Sequence, residues 1–449
     1  MMPAIRAKAS GKTAFVNVRL LDPATGLDQI GGLLIQDGVI NDLGPSVTRE
    51  TVPADCRIIE GDGNCLAPGL VDMRVQLREP GFEHQETIET AGKSAATGGV
   101  TTMVALPNTD PVIDDVAGVE FVARRARKVG LAKVFVYGAV SKGIEGHEIT
   151  EMGLLHQAGA VAFCDGVKTI ASARLLRQAL AYTTFFDGMI VQHPEEPELS
   201  RGGDMNSGEL ATRLGLSGIS PLAEVIQIER DIRLAEMTGG RLHFSHISTG
   251  ESVEVIRKAK KRGLKITCDT APFYFALNEN AVSDYRTFAK LSPPLRAEDD
   301  RQAIVMGLVD GTIDTIASDH NPQDQDSKRL PFSQAAAGGV GLETLLPITL
   351  ELYHNGHLSL LEAIGKVTAA PARLMKLSGH GTLKPGSSAD IVVFDPDRPS
   401  RIDPYKFQSK SKNSPFDGRL IQGAVLRTLI DGREVFTHPS CIEGSSSWN

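Results

Sequence analysis

Through the middle of the chain, short apolar runs alternate with stretches whose apolar residues recur every three or four positions. The runs fall at 70–77, 101–106, 133–140, 160–164, 188–193, 241–246, 264–269 and 314–320, which predicts eight buried strands. Between them, residues 116–129, 172–185, 221–238, 251–262 and 297–310 carry helical spacing. The stretch beginning at Glu251 follows Ser248-Thr249-Gly250 and runs out at Gly263, the expected start and stop signals. Strands that alternate with helices close most simply as a (β/α)8 TIM-type barrel, an α/β fold whose chemistry gathers at the C-terminal ends of the strands. We assign it residues 67–378, of which 341–378 read as helical.

The flanks have a different texture. Residues 13–66 hold short β-type runs at 14–18, 32–36 and 38–44, broken by glycine turns, and 386–437 repeat the pattern at 389–394, 425–431 and 432–436. Neither flank is long enough to bury a core alone, so residues 1–66 and 379–449 are expected to pair into one small β-sandwich. The first eight residues and the polar tail 439–449 are expected to be disordered.

Composition narrows the function classes. A net charge of -8 argues against a general nucleic-acid or anionic-membrane surface. No run of 18 apolar residues is present, so a membrane span is not expected. Five cysteines, odd in number and without a Cys-x-x-Cys pair, fit unpaired thiols of a cytoplasmic protein.

Polar residues cluster at one end of the predicted strands. Gln76 and Arg78 end the first, Asn108 follows the second and Asp165 the fourth. His193 ends the fifth, His246 the sixth and Asp319 the eighth. A lone histidine in a barrel is as readily a hydrogen-bonded core group as a ligand. Two imidazoles and a carboxylate at strand ends of one barrel are harder to explain by packing, and they suit zinc. A metal there would make hydroxide near neutral pH, and an aspartate beside it could carry a proton to a leaving nitrogen.

Several segments carry a resemblance. They are Leu66-Ala67-Pro68-Gly69-Leu70-Val71-Asp72-Met73-Arg74-Val75-Gln76-Leu77-Arg78, Glu79-Pro80-Gly81, Pro107-Asn108-Thr109, His246-Ile247-Ser248-Thr249, Pro293-Pro294-Leu295-Arg296, Ser318-Asp319-His320 and Gly341-Leu342-Glu343-Thr344. Together they resemble the amidohydrolase superfamily, specifically dihydroorotases of the longer bacterial type. Hydantoinases share the barrel and metal chemistry, but Arg78-Glu79-Pro80-Gly81 and Pro107-Asn108-Thr109 favour the dihydroorotase branch. The resemblance implies substrate-carboxylate binding by Arg78 and Asn108, and metal binding by His193, His246 and Asp165. It makes Asp319 the catalytic aspartate and a further metal-site residue.

The departures are concentrated at the same mouth. Arg74 and Gln76 stand where a His-x-His pair would hold the first metal. Gln323 replaces a carboxylate-binding histidine, Ser292 an asparagine, and Phe273-Tyr274 a histidine pair. Cys164-Asp165-Gly166 departs from the usual Asp-Asp-Gly. Arginine has no lone pair to offer a metal and stays protonated, so a zinc content of one or none is expected, not two. A salt bridge from Arg74 to Asp165 or Asp319 is expected in its place.

Three readings follow from the resemblance. The first is a dihydroorotase-like protein of pyrimidine biosynthesis, impaired in turnover and acting as a structural partner of aspartate transcarbamoylase in an oligomer. The second is a working single-zinc hydrolase on His193, His246 and Asp319, interconverting dihydroorotate and N-carbamoyl-aspartate. The third is a module that keeps the pocket for a small carboxylated cyclic amide.

Overall fold

A computed structural model describes residues 9–441. Its barrel strands are Leu70–Val75, Val100–Ala105, Lys133–Gly138, Ala160–Phe163, Met189–Gln192, Arg241–Phe244, Ile266–Thr270 and Thr315–Ile316. Each lies parallel to the next in chain order. The first and last meet through a parallel bridge between Val75 and His320, which closes the ring. The predicted (β/α)8 architecture is therefore the observed one.

The helices form where spacing and end signals agree. Val116–Val129 starts at Asp115, whose side chain accepts from the Gly118 N–H, and ends at left-handed Gly130. Its buried stripe is Val119, Val122 and Ala126. Gly250–Lys261 is capped by Thr249 and carries Lys258, Lys260 and Lys261 in its last turn, where cations suit the helix dipole. Residues 341–378 hold three helices, Leu345–His354, Leu360–Lys366 and Ala369–Leu374. A further helix, Ile88–Thr97, was missing from the sequence expectation. Its small residues give a faint periodicity, and its clearest signal is the capping box of Thr87 and Thr90.

The two flanks share one eight-stranded sheet. Cys65–Pro68 joins them, running parallel to Lys12–Asp22 and antiparallel to Ile391–Arg401. The sheet curls until its far parts touch: the Ile40 N–H donates to the Ser387 carbonyl at 2.9 Å and the Ala389 N–H to that of Gly38 at 3.0 Å. Phe15, Leu33, Ile35 and Ile40 thereby pack with Ile391, Leu426 and Leu429. Residues 1–8 and 442–449, which include the expected leader and most of the tail, lie outside the described residues. The start of that tail departs from the expectation, since Pro439–Cys441 forms a 3-10 turn. No helix among the described residues is long and apolar enough to cross a membrane.

Barrel and sheet are joined by a buried ion cluster. Lys133, the first residue of the third barrel strand, donates from Nζ to Asp390 Oδ2 at 2.7 Å and to Asp431 Oδ1 at 2.9 Å. Burial alone would lower the Lys133 pKa, and the two carboxylates reverse that and raise it. Lys133→Ala leaves two facing carboxylates without their cation. It should cost about 3–5 kcal/mol of stability, read from the urea midpoint by circular dichroism. A loss below about 1 kcal/mol, the range of an exposed pair, would contradict the structural role given to this cluster.

Candidate functional site

The strand ends deliver four of the candidate residues to one buried chain of contacts. Arg74 Nε donates to Asp319 Oδ1 at 2.8 Å, and its Nη1 donates to Ser245 Oγ at 3.2 Å. Asp319 Oδ2 stands 3.3 Å from His246 Nδ1, close enough for charge attraction but off the line of a hydrogen bond. His246 Nε2 and His193 Nδ1 share a hydrogen bond of 2.9 Å. His193 Nε2 then meets Glu195 Oε2 at 3.1 Å, which also accepts from Ser292 Oγ at 3.2 Å. Arg74, at 2 % exposure, has no route to solvent, so the expected salt bridge is made and Asp319 is its partner.

The charges settle one another. Burial works against ionising Asp319, but His246 and Arg74 together hold its carboxyl below the usual range. Burial likewise lowers Arg74, and the Asp319 carboxylate, with Asp269 behind it, more than restores it. His246 is depressed by burial and by the Arg74 guanidinium. Glu195 is pulled below its ordinary value by His193 despite its burial.

Three of these residues hold backbone conformations that side chains disfavour. Arg78, His246 and Asp319 have φ of 61°, 42° and 48°, in the left-handed region. Each costs about 1–3 kcal/mol and persists only where the surroundings over-determine it. For His246 the surroundings include Asp269, whose Oδ1 accepts the His246 N–H at 2.6 Å while Oδ2 meets His243 Nε2 at 2.9 Å.

The remaining candidates form a neighbouring group. Asn108 Nδ2 donates to Gln76 Oε1 at 3.0 Å, which leaves Gln76 Nε2 buried without a partner. Arg78 donates to Asn321 Oδ1 at 2.6 Å and to the Pro322 carbonyl at 3.2 Å. No carboxylate pairs with it among the described residues, and burial lowers its pKa to about 10. Gln323 Nε2 donates to Asn321 Oδ1 at 3.1 Å and to the Ala337 carbonyl at 2.8 Å.

Asp165 is placed apart from the histidines. Its Oδ1 accepts from the Val140 and Ser141 N–H groups, both at 2.9 Å, and its Oδ2 from Ser141 Oγ at 2.5 Å. The reason is the two-residue period of the fourth strand, which turns Ala162 and Cys164 into the barrel with Tyr137 and Val191. Cys164 therefore faces the interior and Asp165 fixes the loop after the third strand. Gly166 follows at φ 69°, where a side chain would run into Asn108.

These donors do not fit a zinc centre. Arg74 and Gln76 contribute no ligand at the first position, and Asp165 is spent on backbone. Tetrahedral zinc with bonds of about 2.0–2.1 Å would set two ligand nitrogens about 3.3 Å apart, whereas those of His193 and His246 are at hydrogen-bond distance. Asp319, the third candidate, is held by Arg74. Among the described residues no group of three His, Cys, Asp or Glu side chains is arranged to hold a metal.

Sequence reasoning missed Glu195 and Cys164. The signal for Glu195 was its position two residues after His193 in His193-Pro194-Glu195. The signal for Cys164 was strand alternation.

Comparison with known proteins gives a consistent picture. Residues 63–252 match the family described as dihydro-orotase-like, and residues 314–436 match the amidohydrolase family. The dihydroorotase of Syntrophotalea carbinolica is 44% identical over 422 residues, covering 94% of this chain and 98% of that protein. The dihydroorotase of Anaplasma phagocytophilum is 43% identical over 426 residues, covering 94% and 95%. Among solved structures, the L-hydantoinase (dihydropyrimidinase) of Arthrobacter aurescens superposes with a TM-score of 0.84 at 26% identity, covering 94% and 96%. The dihydropyrimidinase of Brevibacillus agri, at 22% identity and a TM-score of 0.83 with 95% of both chains covered, shares the fold.

Protein purified without chelator should hold well under two metal ions per chain by elemental analysis. EDTA should leave its melting temperature unchanged. Arg74→Met, which strands the Asp319 carboxylate, should cost about 3–5 kcal/mol. Two tightly held metals, or a melting temperature that collapses in EDTA, would overturn this account of the site.

Proposed function

The chain belongs to the dihydroorotase family of amidohydrolases, and we propose that it serves pyrimidine metabolism as a structural partner of aspartate transcarbamoylase, with its own hydrolase turnover impaired. The observation that carries this reading is the 2.8 Å pair of Arg74 and Asp319. A catalytic aspartate must accept and return a proton. Here the carboxyl is bound to a permanent cation and held below its usual range, which makes it a poor base. The same guanidinium repels any divalent ion brought beside it.

The barrel and the shared sheet stay fully built around this site. Retention of a large folded body without the first metal's ligands is what a structural role requires. In this reading the protein is a cytoplasmic component of an oligomeric complex, with residues 67–378 as the barrel and 1–66 and 379–449 as the flanking module.

Arg78 favours a second reading, the binding of a small carboxylated cyclic amide of the dihydroorotate type. Among the described residues its guanidinium has no carboxylate partner, and Gln76 Nε2, also without a partner there, adds a donor on the same strand end. Planar, bidentate carboxylate recognition is what such an arginine does well.

Co-expression with aspartate transcarbamoylase followed by gel filtration tests the proposal, with dihydroorotate hydrolysis assayed on the same fractions. One large co-eluting complex is expected, with no hydrolysis attributable to this chain. Separate elution together with measurable hydrolysis that vanishes in Asp319→Ala would instead assign a single-zinc dihydroorotase using His193, His246 and Asp319.

A further inference from the structure

Residues 407–413 form no helix or strand, yet they are bound along their length to the barrel mouth. The Gln408 and Ser409 N–H groups donate to Glu343 Oε1 at 2.7 and 3.1 Å, and Ser94 Oγ joins them at 2.9 Å. Ser409 Oγ and the Lys410 N–H donate to Glu86, which stands 3.4 Å from His320 Nε2. Lys410 Nζ reaches the Glu83 carbonyl at 2.6 Å and Ser411 Oγ that of Gln85 at 2.7 Å. Asn413 Nδ2 donates to the Asn321 and Gly338 carbonyls at 3.1 and 2.9 Å, and its Oδ1 accepts the Gln323 N–H at 3.1 Å.

These partners come from two places, the loop after the first barrel strand and the loop after the eighth. The segment therefore lies across the seam of the barrel. It also braces Asn321, the residue that receives Arg78.

We propose that residues 407–413 are a releasable strap across the barrel seam, latched by Glu343, and that the latch weakens as pH rises from the acid range through neutrality. The strap lies in the connection between two strands of the flanking sheet, Ile391–Arg401 and Leu420–Ile430, so its release uncouples that edge of the sheet from the mouth.

The chemistry of the latch supports this. Glu343 receives three donors on one oxygen, but its charge is largely shut off from water, and burial pushes its carboxyl up to about 7. The charged groups around it are few. Lys412 on the strap favours ionisation but donates to the Phe407 and Ser409 carbonyls. Glu86, paired with His320, shares Ser409, Lys410 is turned to Glu83, and Ser94 of the adjacent helix is neutral. A carboxyl whose pKa is higher in the seated state stabilises seating while protonated. That stabilisation is complete below the ordinary glutamate range and is lost as pH rises through about 7.

Hydrogen exchange of the Gln408–Ser411 amides in the full chain, corrected for intrinsic rate, tests the strap. Protection should fall about tenfold between about pH 6 and pH 8.5, the ratio given by pKa values near 7 seated and about 4.3 released. In Glu343→Gln the fall should disappear. Ser94→Ala, which removes one donor to the ionised carboxyl, should move it to higher pH. Wild-type protection that is flat across this range would overturn the proposal whatever the variants do, as would an unchanged fall in Glu343→Gln.

Discussion

A barrel of eight strands must bring its first strand against its last, and in this protein that seam is stitched by side chains as much as by backbone. Asp72 Oδ1 accepts from the Ser318 N–H at 3.1 Å, Arg74 pairs with Asp319, and the Gln76 N–H donates to the His320 carbonyl at 2.9 Å. Three alternate residues along and just past the first strand thus hold three successive residues just past the last. The central stitch is ionic and buried, so it cannot be loosened cheaply: removing either partner strands a charge in a medium that solvates it poorly. The strained backbone at Asp319, the chain of imidazoles beyond it and the loop carrying Asn321 all hang from that closure.

The pair also explains how a mouth built of ionisable groups can persist without a zinc centre. Asp319 and Glu195 are two carboxylates facing two imidazoles in near-complete burial. A divalent ion would ordinarily supply the balancing charge. Arg74 supplies one unit of it permanently and with a directional hydrogen bond, which a metal–carboxylate contact does not need. The histidines are then free to bond each other. Arg74 thus supplies positive charge at the mouth but no Lewis acid.

Much of the fold could be read from the chain because barrel strands and their helices are local patterns. The helix Val116–Val129 has the limits its spacing and caps announce, and all eight strands fall within or beside their apolar runs. The shared flanking module was inferable from the β-type runs of both flanks and their shortness, though its single continuous order depends on Cys65–Pro68 lying between distant strands. The site was legible by residue type and not by partner. His193, His246 and Asp319 could be named at strand ends, but whether Asp165 or Cys164 faced inward rested on one step of alternation. The link from Arg74 to Asp319 spans 245 positions and is set by closure of the ring, which no local signal encodes.

The same long-range logic runs outward from the seam. Glu86 follows the first strand, His320 follows the last, and the strap residue Ser409 comes from the C-terminal flank, yet the three meet at one buried carboxylate. Lys133 makes the corresponding connection at the opposite end of the barrel, where Asp390 and Asp431 belong to the flanking sheet. The flanking module is therefore fastened at both ends of the barrel through groups whose charges are buried. In the proposed structural role, a module held at both ends would present the same surfaces to a partner for as long as the strap stays seated.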